Sequence, residues 1–337
     1  MRRLLVSGVA LVLGAMPVTA SAARSGEGPC RRETVAGIPG MYAVAIQQTD
    51  PTGRFQVGYA KATARGESRL VLWRDGTPLD QGPVGGLDAG WLDVNARGQV
   101  AGNGRVGGVD KLWRWSQTGG LEPLPLPANT TDGAVMAING RGEMAGAAWA
   151  GEDPVAVAWS ADKTLRVLAT PAGFTRAHAY DIDGDGTVVG EVWDWDREGA
   201  GWRARRAIAW APDGSWRLLP RGSSDRAHSY ARVIRDGAVL GVTSGDDTFS
   251  WVERNGTLTR VGELYPTLLG INSTGAILTD SDVRTPGGTP RKLPEIDGAD
   301  PMDGGSYPTG ITDTDLVYGY DWLDGDRRLM PVRWDCR

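Results

Sequence analysis

A nine-residue pattern that recurs along the chain constrains its fold more than any other feature. An aliphatic residue and a turn precede Gly-x-h-x-Gly, where h is hydrophobic, and the best copies lie 44 residues apart. The copies are residues 94–102, 138–146 and 182–190, weaker ones that end at Gly58, Gly241 and Gly319, and a degenerate one at 271–279. Because a fixed period of this length marks a repeat architecture, the sequence predicts seven copies of one small unit.

A second landmark in each unit is an alternating segment that ends in tryptophan. The tryptophans are Trp73, Trp113, Trp159, Trp210, Trp251 and Trp334, and the sixth unit has none. Turns such as Asp75-Gly76 and Asn255-Gly256 follow, and these pairs favour hairpins because they tolerate positive φ. We interpret these tryptophans as packing between neighbouring units.

Four short antiparallel strands in a unit of about 45 residues are typical of a β-propeller blade. The sequence therefore predicts an all-β, seven-bladed β-propeller, with a β-sandwich or a solenoid as alternatives. No helical period competes with this pattern after the N-terminal segment. The repeats are placed at about residues 41–80, 88–125, 133–169, 177–220, 228–262, 266–294 and 306–336, with 31–36 completing the last.

The two ends of the repeat region complement each other. Residues 332–336 form a third strand without a fourth, and residues 30–35 form a fourth strand without the first three. The N-terminal strand is therefore predicted to complete the last blade, which removes open sheet edges. Cys30 and Cys336 would then lie on opposite arms of one hairpin, so we predict a disulfide between them, with two unrelated thiols as the alternative.

The first 22 residues have the features of an export signal. Arg2 and Arg3 precede a mostly apolar segment, and Ala20-Ser21-Ala22 is a small-residue cleavage site. The apolar segment is short for a membrane span, although a retained anchor or a buried helix is the alternative. We assign residues 1–22 to a signal peptide and residues 23–337 to the propeller, which we expect to be a secreted monomer after cleavage near Ala22, with no membrane span.

Charge and missing motifs narrow the classes of function. The net charge is −5 and the 36 basic residues form no long run, which argues against a nucleic-acid partner. The sequence has no Gly-x-Ser-x-Gly elbow, no phosphate loop and no zinc-type cluster. We therefore predict no cofactor and regard an enzyme as the less favoured class.

An Asp-rich turn is the one candidate metal site. Asp181, Asp183 and Asp185 alternate as calcium ligands do, but the twelfth position counted from Asp181 is Val192 rather than the closing acid. Asp183 also takes the place of Asn139 in an ordinary first hairpin. We interpret the segment as a hairpin turn and keep calcium as the alternative.

Both histidines of the chain lie in two near-identical motifs. These are Arg176-Ala177-His178-Ala179-Tyr180 and Arg226-Ala227-His228-Ser229-Tyr230, interpreted as equivalent places in adjacent repeats. Since the opening strand of each repeat is predicted to be innermost, both motifs should reach the channel mouth. The longest predicted loop, residues 191–205, opens on the same face and carries Trp193, Trp195 and Trp202.

We predict that these residues form a ligand site. Histidine and tyrosine supply hydrogen bonds, indoles stack on sugar rings or peptide side chains, and Arg176 and Arg226 belong to the same motifs. The predicted function is an exported module that binds a carbohydrate or a peptide. One alternative is a secreted lyase or glycosidase that uses acidic residues at the channel mouth, or a histidine that titrates near neutrality as base and a tyrosine as acid. In such an enzyme Arg176 and Arg226 would neutralise a uronate carboxylate. The other alternative is a cell-surface scaffold. Repeat duplication that merely copied the motif is the simpler explanation of the histidines.

The repeat resembles that of the bacterial secreted HAF-repeat family, named for a His-Ala-Phe strand before tryptophan. The resemblance lies in the Ile-Asn-x-x-Gly-x-h-x-Gly pattern of residues 138–146 and in Ala-x-x-Trp, as at 156–159 and 207–210. It covers nearly all of residues 23–337, although the His-Ala-Phe tripeptide itself is absent. The resemblance implies an extracellular propeller and little about its chemistry.

Overall fold

Alternating strands and glycine-containing turns give this chain seven four-stranded antiparallel sheets in the computed structural model, which confirms the seven-bladed β-propeller. The structure describes residues 28–83, 92–106, 109–196, 201–221, 227–245, 247–262, 268–295, 305–323 and 328–337. The predicted signal peptide, residues 1–22, lies outside these ranges. Within them, no helix is long and apolar enough to cross a membrane.

The strands follow one another in the same order in each blade, from the channel outward. Strand β1 (Arg31–Thr34) belongs to the last blade. Blade 1 contains β2 (Ala43–Thr49), β3 (Phe55–Lys61), β4 (Arg69–Arg74) and β5 (Thr77–Pro83). Blade 2 contains β6 (Leu92–Val94), β7 (Val100–Val106), β8 (Val109–Ser116) and β9 (Gly120–Pro123). Blade 3 contains β10 (Asp132–Ile138), β11 (Met144–Ala150), β12 (Asp153–Trp159) and β13 (Leu165–Val167).

The remaining blades repeat this order. Blade 4 contains β14 (Arg176–Ile182), β15 (Val188–Asp196), β16 (Gly201–Trp210) and β17 (Trp216–Leu218). Blade 5 contains β18 (His228–Arg235), β19 (Ala238–Ser244), β20 (Phe249–Arg254) and β21 (Thr257–Gly262). Blade 6 contains β22 (Gly270–Ile271), β23 (Ile277–Leu278), β24 (Asp282–Arg284) and β25 (Arg291–Lys292). Blade 7 contains β26 (Gly305–Ile311), β27 (Leu316–Leu323), β28 (Arg328–Asp335) and, outermost, β1.

The hydrophobic core is divided among the contacts between blades. Each of its seven clusters combines buried side chains of two neighbouring blades. The third-strand tryptophans are all fully buried, and each packs back against the preceding blade: Trp73, Trp113, Trp159, Trp210, Trp251 and Trp334. Their predicted role in packing between units is therefore confirmed.

Four of the indole N–H groups also connect neighbouring blades, those of Trp73, Trp159, Trp210 and Trp334. Trp159 donates to the carbonyl oxygen of Pro125 at 2.8 Å, and Trp210 donates to that of Ala169 at 2.7 Å. Both acceptors follow the fourth strand of the preceding blade. Because a buried donor without an acceptor is costly, this bond fixes how far one blade rotates against the next.

The two glycines of the repeated pattern have different tasks. Gly142 ends the first hairpin turn with φ 85°, a left-handed conformation that glycine adopts without strain. Gly146 lies against a bulge in the first strand, where an added Cβ would stand 1.9 Å from the carbonyl oxygen of Ala134. The closing glycine is therefore required by the close approach of two backbones.

The chain closes by pairing its first strand with its last. Strand β1 pairs with β28, with Arg31 opposite Asp335, and the disulfide between Cys30 and Cys336 lies at the next position. The predicted closure and the predicted bridge are both confirmed. The cross-link joins residues 306 apart in sequence.

We predict that the disulfide is a major contributor to stability. A covalent loop of this length stabilises a fold by about 6 kcal/mol in the chain-entropy model, an upper value. Replacing both cysteines (Cys30→Ser with Cys336→Ser) should therefore lower the unfolding temperature measured by circular dichroism. A thiol reductant should lower it for the wild type and leave the double variant unchanged. Equal unfolding temperatures in oxidising buffer would contradict the prediction.

Candidate binding site at the channel mouth

The predicted site residues lie on one face of the disk, which we call the mouth face. There the first strand of each blade begins and the second strand ends, so that Arg176 pairs with Trp193 and His178 with Glu191. The segment predicted as a long loop, residues 191–205, is mostly strand, because β15 and β16 extend it as a hairpin. Its backbone is therefore held by a hydrogen-bonded ladder.

A bulge in the first strand turns one side chain of each affected blade toward the channel. The register shifts between Ala179 and Asp181 in β14, and between Ala231 and Val233 in β18. The bulged residues are Tyr180 and Arg232, and both line a central cavity of about 580 Å³ surrounded by the first strands of all seven blades. Bulges commonly re-aim side chains in this way.

Two smaller pockets adjoin the central cavity on the mouth face. The tryptophan pocket, of about 410 Å³, is lined by Trp149, Glu152, Pro154, Arg176, His178, Tyr180, Glu191, Trp193 and Arg205. The arginine pocket, of about 430 Å³, is lined by Tyr180, Glu191, Arg205, His228, Tyr230, Arg232 and Ser244. The two histidines thus face different pockets, although a single central pocket was predicted.

Three side chains form the wall that the two pockets share. The Tyr180 hydroxyl donates to Glu191 Oε1 at 2.7 Å, and Arg205 lies 3.3 Å from both Glu191 oxygens. Glu191 is only 2% exposed, and this burial raises the pKa of its carboxyl. Burial and the neighbouring Glu191 likewise raise the pKa of the Tyr180 phenol, which stays protonated and can donate.

A column of rings stands beside this wall. The Trp149 ring meets His178 edge-on with centroids 5.8 Å apart, and His178 stacks on Tyr180 at 4.5 Å. The Arg232 guanidinium lies 5.1 Å from the centroid of the Tyr180 ring. Arg232 is exposed and makes no ion pair with any described residue. The column therefore joins an apolar end to a cationic end.

His178 is not the near-neutral histidine that the sequence suggested. Burial, together with the positive charge of Arg232, lowers the pKa of its imidazole to about 4. The ring is therefore neutral at physiological pH and a weak base. Its Nδ1 atom is buried and has no hydrogen-bond partner in the described part of the chain.

The two histidine motifs are not equivalent, and that interpretation is wrong. Relative to the closing glycine, His178 of blade 4 corresponds to Tyr230 of blade 5, and Tyr180 corresponds to Arg232. The second copy is displaced by two residues along its strand. An even displacement keeps side chains on the same face of a strand, so both motifs still face the mouth.

The other predicted residues have diverse surroundings. Arg176 is buried and paired with Asp153, Nε to Oδ1 at 2.7 Å, so its charge is already compensated. His228 Nδ1 accepts the backbone N–H of Arg205 at 3.1 Å. Trp193 is buried beneath Arg205 rather than overhanging the pocket. Arg226 lies outside the described residues, as do the side chains of the paired Trp195 and Trp202.

Sequence reasoning missed four residues of the site: Trp149, Glu191, Arg205 and Arg232. Glu191 follows the closing glycine of its repeat, where other repeats carry residues such as Tyr59 or Ala147. Comparing the repeats at that position would have singled out the acid. Arg232 was hidden by the two-residue displacement.

The carboxylates of the candidate calcium turn bind backbone amides. Asp183 accepts from Gly184, Asp236 and Gly237, and Asp185 accepts from Thr187. No three acidic, histidine or cysteine side chains of the described ranges come together in a metal-binding arrangement. The turn thereby serves the contact between blades 4 and 5.

Two carboxyls in the channel wall bind the following blade. Asp93 Oδ2 accepts from the Ile138 amide and Asp181 Oδ2 from the Ile234 amide, both at 2.8 Å. Removal from bulk water raises the pKa of Asp93 to about 7 and that of Asp181 to about 8, and the nearby Asp93 charge adds to the second shift. Between about pH 5 and pH 7, both carboxyls therefore hold a proton in the folded protein, whereas the same carboxyls are ionised in the unfolded chain.

We predict that the free energy of unfolding decreases as pH rises from about 6.5 to about 9, because the unfolded chain binds fewer protons than the folded one in this range. Asp181 alone accounts for about 2 kcal/mol. His178, whose folded pKa is lowered, affects stability only below this range. Urea titrations at several pH values measure the slope, and Asp181→Asn should flatten it.

Asp213→Asn is the matched control. Asp213 lies on an exposed turn, and hydrogen bonds from Ser215 lower the pKa of its carboxyl. It is therefore ionised in both states above about pH 6.5, and its replacement should keep the wild-type slope. An Asp181→Asn protein with the wild-type slope would contradict the assignment.

Comparison with known proteins identifies the architecture. No protein-family model and no curated protein matches the sequence. The β-propeller domain of the trilobed protease from Pyrococcus furiosus, described as having an open velcro topology, matches with a TM-score of 0.60 at 10% identity over 88% of this chain and 96% of that chain.

Two lyases match as well. An oligogalacturonate lyase from Vibrio parahaemolyticus has a TM-score of 0.61 at 14% identity over 92% of this chain and 97% of its own. A catalytically inactive virginiamycin B lyase from Staphylococcus aureus, solved with quinupristin, has a TM-score of 0.56 at 10% identity over 90% and 99%. At these identities the likeness establishes the fold alone.

Proposed function

We propose that this protein is an exported binding module that holds an acidic carbohydrate chain on its mouth face. The observation that carries the proposal is the column of Trp149, His178, Tyr180 and Arg232 beside two adjoining pockets. An apolar end and a cationic end along one column match a polymer whose rings carry carboxylates.

The tryptophan pocket suits the body of a sugar ring. Trp149 is half-buried, so part of its indole remains available for contact with the apolar face of a pyranose. The neutral His178 beside it offers hydrogen bonding without a charge to desolvate.

The arginine pocket suits the carboxylate. Its charged groups are Glu191, Arg205 and Arg232, and the Arg205–Glu191 pair leaves the Arg232 guanidinium to attract an anion. Arginine binds carboxylates through two parallel hydrogen bonds, which gives geometric selectivity as well as affinity. His228 and Tyr230 in the same pocket supply further polar contacts.

Export is supported by the signal-like N-terminus and by the disulfide, which persists in oxidising compartments. The resemblance to the HAF repeat fits this location. Because β1 closes the ring within one chain, no partner strand is needed, and we expect a monomer.

The proposal is tested on an array of acidic and neutral polysaccharides and acidic peptides, followed by titration calorimetry. We expect retention of uronate polymers such as polygalacturonate or alginate. Arg232→Ala should weaken that binding at least about tenfold, because it removes the uncompensated charge. Binding of neutral glycans or acidic peptides alone would overturn the proposal.

Arg54→Ala is the matched control. Arg54 is also exposed and lies over an aromatic ring, Phe55 at 5.2 Å, but it belongs to a first-hairpin turn on the opposite face. This variant should bind uronate polymers as the wild type does. Equal losses in both variants would indicate a nonspecific charge effect.

A polysaccharide lyase is the second candidate, and the hydrogen-bonded pair of Tyr180 and Glu191 favours it. A buried carboxyl with a raised pKa in a pocket is a typical acid or base, and a phenol beside it can exchange a proton with a bound sugar.

Turnover separates the two candidates. If the protein is a lyase, the wild type should generate the ultraviolet absorbance of an unsaturated uronate product. Glu191→Gln, which keeps the size of the side chain and removes its charge, should lower kcat at least about a hundredfold. Binding of a uronate polymer with no product after prolonged incubation supports the binding module.

A further inference from the structure

A second group of aromatic side chains stands on the mouth face, at blades 7 and 1. Tyr307 stacks on Tyr320 with ring centroids 5.3 Å apart and planes 17° from parallel, and Trp322 lies 6.3 Å from Tyr307. Burial, together with the phenol of Tyr320, raises the pKa of Tyr59 in blade 1 to about 12. We call Tyr59, Tyr307, Tyr320 and Trp322 the aromatic platform.

The platform occupies the same blade positions as the site on blade 4. Tyr307 pairs with Tyr320 as His178 pairs with Glu191, and Gly305 pairs with Trp322 as Arg176 pairs with Trp193. Rotation about the channel axis therefore relates the two groups. The same positions of the repeat build a binding surface twice.

The platform is open to solvent. The exposed fractions of Tyr307 and Trp322 are 43% and 37%, which is high for rings of this size. The stacked tyrosines support each other, so the Trp322 and Tyr307 surfaces are ordered before any ligand arrives. Preformed surfaces of this kind bind at low entropic cost.

A cation stands at the edge of the platform. The Lys61 ammonium lies 5.9 Å from the centroid of the Tyr59 ring and makes no ion pair with any described residue. Lys61 corresponds in register to Trp322, at the end of the second strand of blade 1. The platform therefore repeats the combination of aromatic rings with an uncompensated positive charge.

The two groups face each other across the channel. Blades 3, 4 and 5 carry the first, and blades 7 and 1 carry the second, nearly half a turn away in the ring of seven. The central cavity connects them, since Tyr180 lines it on one side and Pro308, the neighbour of Tyr307, lines it on the other. A bound polysaccharide that extends from the arginine pocket across the mouth therefore extends toward the platform.

We propose that the aromatic platform is a second subsite, which binds the sugar rings of an acidic polysaccharide whose carboxylates meet the first site and Lys61. This inference rests on the proposed function. Two sites joined by one ligand raise its affinity, because the second contact forms within the same complex. Binding should therefore depend on chain length, which a single pocket does not require.

The test is titration calorimetry with galacturonate oligomers of increasing length, from dimer to about dodecamer. The wild type should bind the longest oligomers at least about tenfold more tightly than the dimer. A variant with both Tyr307→Ala and Trp322→Ala should bind long oligomers only as tightly as the dimer, with dimer affinity unchanged. Trp322→Phe, which keeps a ring, should retain most of the gain.

Trp216→Ala is the matched control, because Trp216 is 43% exposed but lies on the outermost strand of blade 4. It should keep the full dependence on length. Length-independent binding, or a platform variant with wild-type affinity for long oligomers, overturns the subsite and leaves the proposed function intact. No binding of galacturonate oligomers or of alginate oligomers overturns both, and circular dichroism verifies that each variant is folded.

Discussion

Burial of a tryptophan between neighbouring blades, which occurs at six of the seven contacts, is the interaction on which the rest of this structure depends. The indole fills the space behind the preceding blade, and in four blades its N–H reaches a carbonyl that follows that blade's fourth strand, as Trp210 does at Ala169. The contact sets the spacing of the blades at six of the seven steps that close the ring. Blade 6 brings no tryptophan to its contact with blade 5, and its strands are only two or three residues long. The contact between blades 5 and 6 therefore lacks the tryptophan that the other six contacts share.

The site depends on the regular packing of the blades and on the bulge in the first strand. Close backbone approach requires glycine at Gly190, and the bulge beside it turns Tyr180 toward the channel. The residue after the glycine differs among blades: Glu191 of blade 4 corresponds to Tyr59 of blade 1, Ala147 of blade 3 and Val242 of blade 5. The candidate site uses variable positions of the repeat, which hold Tyr180, Glu191 and Arg232. The residues that pack the blades together are similar from one repeat to the next.

The fold could be predicted from sequence because the same pattern of strands and turns occurs seven times. The complementary ends of the repeat region implied both the closure of the ring and the Cys30–Cys336 bridge. The site could be predicted only in part. Motif identity placed His178 and Tyr230 near the channel, but an identical pentapeptide displaced by two residues looks equivalent until strand pairing is known. Partners across strands, such as Arg205 for Glu191, depend on that pairing, and the low pKa of His178 depends on burial, which a motif does not encode.

The closing disulfide also determines how the molecule carries mechanical load. Cys30 and Cys336 lie side by side, with Cα atoms 4.5 Å apart, on opposite strands of one sheet. A pull on the chain before Cys30 and after Cys336 therefore runs through a single covalent bond and bypasses all the blades between them. An oxidised propeller tethered at both ends transmits tension without extending, whereas reduction exposes β1 to being peeled from β28 one hydrogen bond at a time.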